Sequence, residues 1–235
     1  MNKIHEISKR LSSRLHDLEF QEPVTHVYNP LDYAWESHAA YLEFADHGAK
    51  VLFMGMNPGP WGMAQTGVPF GDVGFVRDFL GIEKPVSKPA LEHPKRLVEG
   101  FECSRSEVSG SRLWGWVQER YETPESFFKE FFIWNYCPLS FMEESGRNRT
   151  PDQLPKEERE TIFGPCDDAL REVVEAMEIE MVVGVGTWAE KQAKRALKKS
   201  GTKFGRILHP SPASPKANQG WAPIVEDELS ALGLI

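Results

Sequence analysis

The chain has 235 residues, 40% apolar and 26% charged, which suits one globular domain and excludes a fibrous or disordered class. No stretch approaches the roughly 18 apolar residues needed to span a bilayer. The formal charge of −8 has the wrong sign for a simple polyanion binder, so any nucleic-acid reading must rest on where the charges sit.

Cysteine and histidine usage narrows the chemistry further. Cys103, Cys137 and Cys166 form no CxxC pair; three thiols argue against a disulfide framework and exclude a four-thiolate iron–sulfur cluster. The seven histidines make no HExxH or other close pair, so no metal site is expected.

In chain order, the first segment, "MNKIHEISKRLSSRLHDLEF", sets Ile4, Ile7, Leu11, Leu15 and Leu18 on one helical face. The spacing predicts a helix within residues 1–20, too charged throughout to be a signal peptide. The protein is therefore expected in the cytoplasm (cytosol or nucleoid in a bacterial cell), or in the nucleus of a eukaryotic one.

"VLFMGM" (51–56) is a short apolar run with β-branched and aromatic members, cut off by "NPGP", and reads as a buried strand. Asn57 either serves the turn, as asparagine commonly does, or presents its carboxamide to a ligand. "TGVPFGDV" (66–73) sets Phe70 in a loop, where its ring either plugs the core or stacks on a planar ligand. Residues 83–110 are rich in proline and charge without a sustained period, which predicts a wrapped loop with short helices.

Three further strands are predicted: "FFIWNY" (131–136), "MVVGVG" (181–186) and "FGRILH" (204–209). Helical patterns at 111–121, 156–177 and 187–200 separate them. Strand–helix alternation predicts an α/β protein, a three-layer α/β/α sandwich around a four-stranded parallel sheet. No repeat or composition shift divides the chain, so residues 1–235 are read as one domain. Open α/β sheets bind ligands beyond the carboxyl ends of their strands. Asn57, Asn135, the glycine turn 184–187 and His209 all fall there. Each has a bland alternative: Asn135 can cap a turn before Pro138, and a lone histidine at a strand end is often structural.

"GVGTWA" (184–189) fits the dinucleotide fingerprint formally, but no acidic residue for a ribose stands about 20 positions on. What survives is a glycine turn, Gly186 and Thr187, opening a helix whose N–H groups suit a phosphate. From Thr187 to Pro210, seven lysines and arginines, Lys191 among them, face one acid, Glu190. That segment is +6, leaving −14 for the rest of the chain. It is either a solvated helix face or a basic edge beside a phosphate-binding surface. "HPSPASPKANQGW" (209–221) is stiffened by Pro210, Pro212 and Pro215, so it can project without a large entropic cost on binding.

Five segments together, "GMNPGPWGMAQTGVPFGDVGFVRDFLGI", "HPKRLVEGFECSRSEVSGSRLWGW", "NYCPLSF", "VVGVGTWAEKQAKRAL" and "HPSPASPKANQGW", resemble the single-strand-selective monofunctional uracil-DNA glycosylases of the uracil-DNA glycosylase superfamily. The resemblance runs from about residue 20 to the C-terminus. It implies excision of uracil and C5-modified uracils such as 5-hydroxymethyluracil from single- and double-stranded DNA, initiating base excision repair. It also implies no metal or other cofactor and no membrane partner, and the chain is expected to be a monomer.

The resemblance further implies roles. His209 would donate to uracil O2, and Asn57 would hold the attacking water; these are the catalytic pair. Asn135 would read the base edge, Phe70 would stack on the flipped ring, and the Met56 backbone would line the pocket. Gly59 stands where related thymine-excluding enzymes carry a tyrosine, leaving room at C5. Gly186, Thr187, Lys191, Ser211, Pro212, Ala213, Ser214 and Lys216 would contact DNA. Ala213 is a departure, because family members commonly have arginine directly after "HPSP". Trp61 replaces a frequent phenylalanine. Competing readings are a non-catalytic nucleic-acid or nucleotide-binding module, a nicotinamide-dependent oxidoreductase resting only on "GVGTWA", and a metal-dependent nuclease.

Overall fold

The computed structural model describes residues 3–235. Its first helix, α1 (Lys3–His16), buries Ile4, Ile7, Leu11 and Leu15 on one face. The helix expected within residues 1–20 thus ends at His16, and residues 1 and 2 lie outside the described residues. A strand, β1 (Val24–Tyr28), and a helix, α2 (Trp35–Leu42), follow. The chain then enters β2 (Val51–Gly55), in which every residue is buried. The segment before α3 (Val108–Tyr121) carries one 3-10 turn at Gly100–Glu102, in keeping with a wrapped loop.

Beyond α3 come β3 (Phe131–Asn135), the short β4 (Ser140–Glu143) and β5 (Asn148–Arg149), and the long α4 (Lys156–Ala176). The chain closes with β6 (Met181–Val185), α5 (Thr187–Ala196), β7 (Lys203–Ile207) and α6 (Trp221–Ala231). The main sheet has the order β3-β2-β6-β7 and is parallel throughout. A parallel sheet covered by helices on both faces favours near-continuous apolar strands, which is what "VLFMG" and "FFIWN" are. The expected α/β/α sandwich with a four-stranded parallel sheet is the observed fold.

A second sheet, antiparallel β1-β4-β5, was not legible in the sequence. The register of β1 against β4 shifts between Val24 and His26, which breaks the alternation that would mark a half-buried strand. α1 packs along α4, and Arg14 to Asp168 (2.8 Å) and Arg10 to Glu172 cross the seam. Exposed pairs of this kind contribute about 0–1 kcal/mol, so the buried apolar face does most of the holding.

The strands end slightly before the expected limits, and that matters for function. Met56, Tyr136, Gly186 and His209 all stand outside the ladder, at the carboxyl edge of the sheet. The register Gly55↔Asn135 places the last residues of β2 and β3 side by side. Two further bonds, Tyr136 N–H to Gly55 O and Cys137 N–H to Met56 O (both 2.9 Å), carry this alignment past the strands. Asn57 and Asn135 therefore emerge at one edge.

Candidate active site

A cavity of about 330 Å³ opens at this edge, within the size range of small-molecule sites. Of the residues singled out in the sequence, Met56, Asn57, Gly59, Phe70, Asn135, His209 and Ser211 line it. Met63, Glu107, Asn148 and Thr150 line it as well, and the sequence pointed to none of them. Asn148 belongs to the unforeseen small sheet and Thr150 follows it directly, so that sheet supplies part of the wall.

Asn135 is 6% exposed, and its Oδ1 has no hydrogen-bond partner among the described residues, while its Nδ2 lies 3.3 Å from the Met63 sulfur. A buried amide oxygen without a donor costs about 1–3 kcal/mol. Gly55 makes the placement possible, since a Cβ there would collide with Asn135 Oδ1 and lie 2.8 Å from the Phe70 ring. Phe70 itself has φ 54°, a left-handed backbone that a bulky residue rarely adopts, and such strain persists only where the surroundings enforce it. Asp72 supplies that enforcement: its Oδ2 accepts from Glu107 N–H (2.9 Å) and from Ser106 Oγ (2.9 Å) and Ser111 Oγ (3.0 Å). The Phe70 loop is thereby tied to the start of α3, where Gly110 lets the backbone approach Phe70 O.

Asn57 donates through Nδ2 to Leu139 O (3.1 Å) and more weakly to Pro58 O (3.4 Å). With its amino group so engaged, the carboxamide oxygen is the end available to a water. His209 Nδ1 accepts from the Ser211 N–H at 3.0 Å, which leaves Nε2 to carry the proton. Burial lowers the pKa of His209 to about 4, so near neutral pH the ring is an uncharged Nε2–H donor. Its ring centroid lies 6.0 Å from that of Phe70.

The glycines of "GVGTWA" have structural reasons. At Gly184 a Cβ would collide with the Glu190 backbone, so this residue lets α5 close onto β6. Gly186, at φ 91°, sits against His209, where a Cβ would lie 3.3 Å from the histidine Cβ. The Gly186 N–H is taken by Ile207 O (2.9 Å), so an anion at this turn would meet the N–H groups that follow it. Thr187 Oγ1 accepts from Arg206 (3.3 Å).

Part of the basic segment is internally paired: Lys194 with Glu190 (2.7 Å) and Arg195 with Asp167 (2.6 Å). Lys191 is exposed. In the loop after His209, Pro212, Ala213 and Lys216 are exposed, while Ser211 and Ser214 are joined by a backbone bond of 3.0 Å. Arg112 of α3 braces this loop, donating to Pro210 O (3.0 Å) and Asn218 Oδ1 (2.9 Å). Trp61 has the guanidinium groups of Arg96 and Arg105 over its ring, at 5.1 and 5.3 Å.

Comparison with known proteins decides the family, because the profile of the uracil DNA glycosylase superfamily matches residues 42–226. The chain belongs to the uracil DNA glycosylase superfamily. Within this superfamily it is 50% identical over 229 residues to the single-strand selective monofunctional uracil DNA glycosylase of Bos taurus, covering 96% of this chain and 84% of that one. The protein of the same name from Mus musculus is also 50% identical over 229 residues, covering 96% and 82%. The crystal structure of wild-type Pedobacter heparinus SMUG2 superposes with a TM-score of 0.68 at 17% identity, covering 97% of each chain. That last likeness bears on the fold. The resemblance carried by the sequence motifs is therefore borne out, and the enzyme class is that of hydrolases of N-glycosyl bonds.

Proposed function

We propose that this chain removes uracil from DNA by hydrolysing the N1–C1′ bond of a flipped deoxyuridine, without lyase activity, and so initiates base excision repair. The observation that carries the reading is the buried, unpartnered Oδ1 of Asn135 in a cavity shared with Asn57 and a neutral His209. The N3–H of uracil supplies the donor this oxygen lacks, and Nδ2 donates to O4. Cytosine presents the opposite pattern on that edge and would leave the amide unpaired.

The chemistry follows from charge flow. As the glycosidic bond stretches, negative charge collects on the base and the sugar gains oxocarbenium character. His209 Nε2–H donates to O2, where that charge develops, and the bond strengthens in the transition state. Asn57 orients a water through Oδ1; an amide is no base, so its part is positioning. Phe70 stacks on the flipped ring. Among the described residues no lysine lines the cavity, which fits hydrolysis rather than attack by an amine.

Bases substituted at C5 belong to the same reading. Gly59 adds no side chain to the cavity wall, and a Cβ there would have only Glu107 Oε1, at 3.9 Å, within 4 Å. On the DNA side, Lys191, the 211–216 loop and the Arg96–Trp61–Arg105 cluster supply cations and a stacking surface for a strand. Ala213 at the exposed loop offers one methyl group to fill a vacated stack, which favours single-stranded over duplex substrate.

The test is excision from an oligonucleotide with one uracil, single- and double-stranded, in EDTA, followed by alkaline cleavage at abasic sites. Strand breaks appearing only after alkali, and lost in Asn57→Ala and His209→Ala proteins, are the expected result. Intact DNA from both substrates would leave a binding role on this scaffold instead.

A further inference from the structure

Among the described residues, Glu107 and His209 are the ionisable side chains lining the cavity, and the reaction described above uses only His209. Glu107 precedes α3 as its N-cap: its side chain accepts from Gly110 N–H (2.5 Å) and Ser109 N–H (3.3 Å). Capping alone is a task that the shorter aspartate, asparagine, serine or threonine performs better. The longer side chain instead reaches the cavity. The two carboxylate oxygens can accept about four hydrogen bonds between them, so acceptor capacity remains after the two cap N–H groups and the Ser109 side chain are bound.

The position of this carboxyl group around the base can be traced. Asn135 Nδ2, the group that meets O4, lies 3.3 Å from Met63 Sδ, so Met63 marks the O4 side. The residue before it, Gly62, is pressed against Glu107: a Cβ there would lie 2.8 Å from Cγ and 3.4 Å from Cδ. Gly59 lies beside Oε1, where a built Cβ would stand at 3.9 Å, an ordinary contact distance. Passing from His209 at O2 through Asn135 at N3 and O4, the next ring atom is C5, and beyond Met63 the wall on that side runs through Gly62 to Glu107. Its pKa is raised, chiefly by burial and further by the Asp72 charge, against the pull of the capping N–H groups and the Ser109 side chain. Its own N–H, donating to Asp72 Oδ2 (2.9 Å), holds it in place.

We propose that Glu107 determines specificity at C5, its carboxyl oxygen accepting a hydrogen bond from a hydroxyl group carried on the C5 substituent of the flipped base. This rests on the uracil-excision reading. A hydroxymethyl group satisfies the acceptor. The methyl group of thymine covers it without a donor and leaves a buried polar atom unpaired. A formyl group turns lone pairs toward lone pairs.

The experiment compares kcat/KM for uracil, 5-hydroxymethyluracil, 5-formyluracil and thymine in one single-stranded sequence at pH 8. Wild type, Glu107→Gln and Glu107→Asp are measured, with Tm recorded for each. Glu107→Asp keeps a good cap and the charge but withdraws the oxygens by one methylene. Glu107→Gln keeps the length and can turn an N–H toward the base. The expected result is a fall of about tenfold in the 5-hydroxymethyluracil-to-uracil ratio in both variants. In Glu107→Gln the 5-formyluracil-to-5-hydroxymethyluracil ratio should rise as well. Unchanged ratios in both variants, or an equal loss on every substrate, would overturn the proposal and leave Glu107 a cap. Wild-type protein that excises no uracil would remove the reading beneath it.

Discussion

The Ser211 N–H donates to Nδ1 of His209 at 3.0 Å, and this single backbone bond sets which ring nitrogen faces the substrate. Because Nδ1 is an acceptor there, protonating the ring would set two donors against each other, in addition to the cost of burying a charge. Burial already lowers the pKa to about 4. The donor at Nε2 should thus persist as the pH falls from 8 to about 5. A kcat profile flat over that range, with its acid limb below pH 5, is the expected outcome. A limb centred near 6.5 would show that the ring titrates as if exposed. His209→Ala should lower kcat by about 100- to 1000-fold, as loss of one preorganised donor to a developing oxyanion does.

Asn135 discriminates between bases through a pair of atoms held at the Gly55↔Asn135 register. Asn135→Asp replaces the donor to O4 with a second acceptor. Uracil excision should fall at least about 100-fold, with the cytosine-to-uracil ratio rising. Uracil kinetics left intact by this change would contradict the base-reading role.

Gly59 leaves the C5 side open as far as Glu107. A Gly59→Tyr side chain would fill that space, so 5-hydroxymethyluracil excision should fall more than uracil excision, by about tenfold or more in the ratio. Parallel loss of both substrates would point to a displaced Asn57 turn instead.

Arg112 acts on the site from outside it. Its two bonds to Pro210 O and Asn218 Oδ1, with Asn218 Nδ2 in turn donating to Pro212 O (2.9 Å), brace the loop that begins at His209. Arg112→Met keeps the stem and loses the fork. It should lower kcat by about tenfold, with Arg112→Lys recovering part of it, since lysine lacks the planar pair of donors. A change in KM alone would assign Arg112 to strand binding.

These contacts show why some of the site was legible in sequence and some was not. β2 and β3 are uninterrupted apolar runs stopped by proline, so both strands and the residues at their ends, Asn57 and Asn135, could be placed from local pattern. His209 was placed in the same way at the end of a strand, although β7 stops two residues sooner. Arg112 and Pro210 are 98 residues apart, and nothing near Arg112 marks it as a brace. Glu107 looks like one more charge in a charged loop until Gly59, Gly62 and Gly110 surround it. β5 has two residues, too few for any period, yet Asn148 on it lines the cavity. The glycine turn was legible as a turn, but the neighbours that require glycine, Glu190 and His209, appear only in the fold.

A second histidine couples the fold itself to pH. His38 is 1% exposed; its Nδ1 donates to Gly67 O (2.8 Å) and its Nε2 accepts from Ser8 Oγ (2.8 Å). Burial lowers its pKa to about 4, against 6.5 for an unperturbed histidine. The unfolded chain therefore takes up a proton between these two values while the folded chain does not. Stability from this residue is fully present above pH 6.5 and is lost as the pH falls toward 4, and His209 acts in the same direction. Each group contributes a slope of up to about 1.4 kcal/mol per pH unit in that window. Urea unfolding between pH 7.5 and 4.5 should show stability falling with acid, and His38→Leu should make the dependence shallower despite a lower stability at pH 7.5. An unaltered slope in that variant would mean that His38 is already protonated in the folded protein.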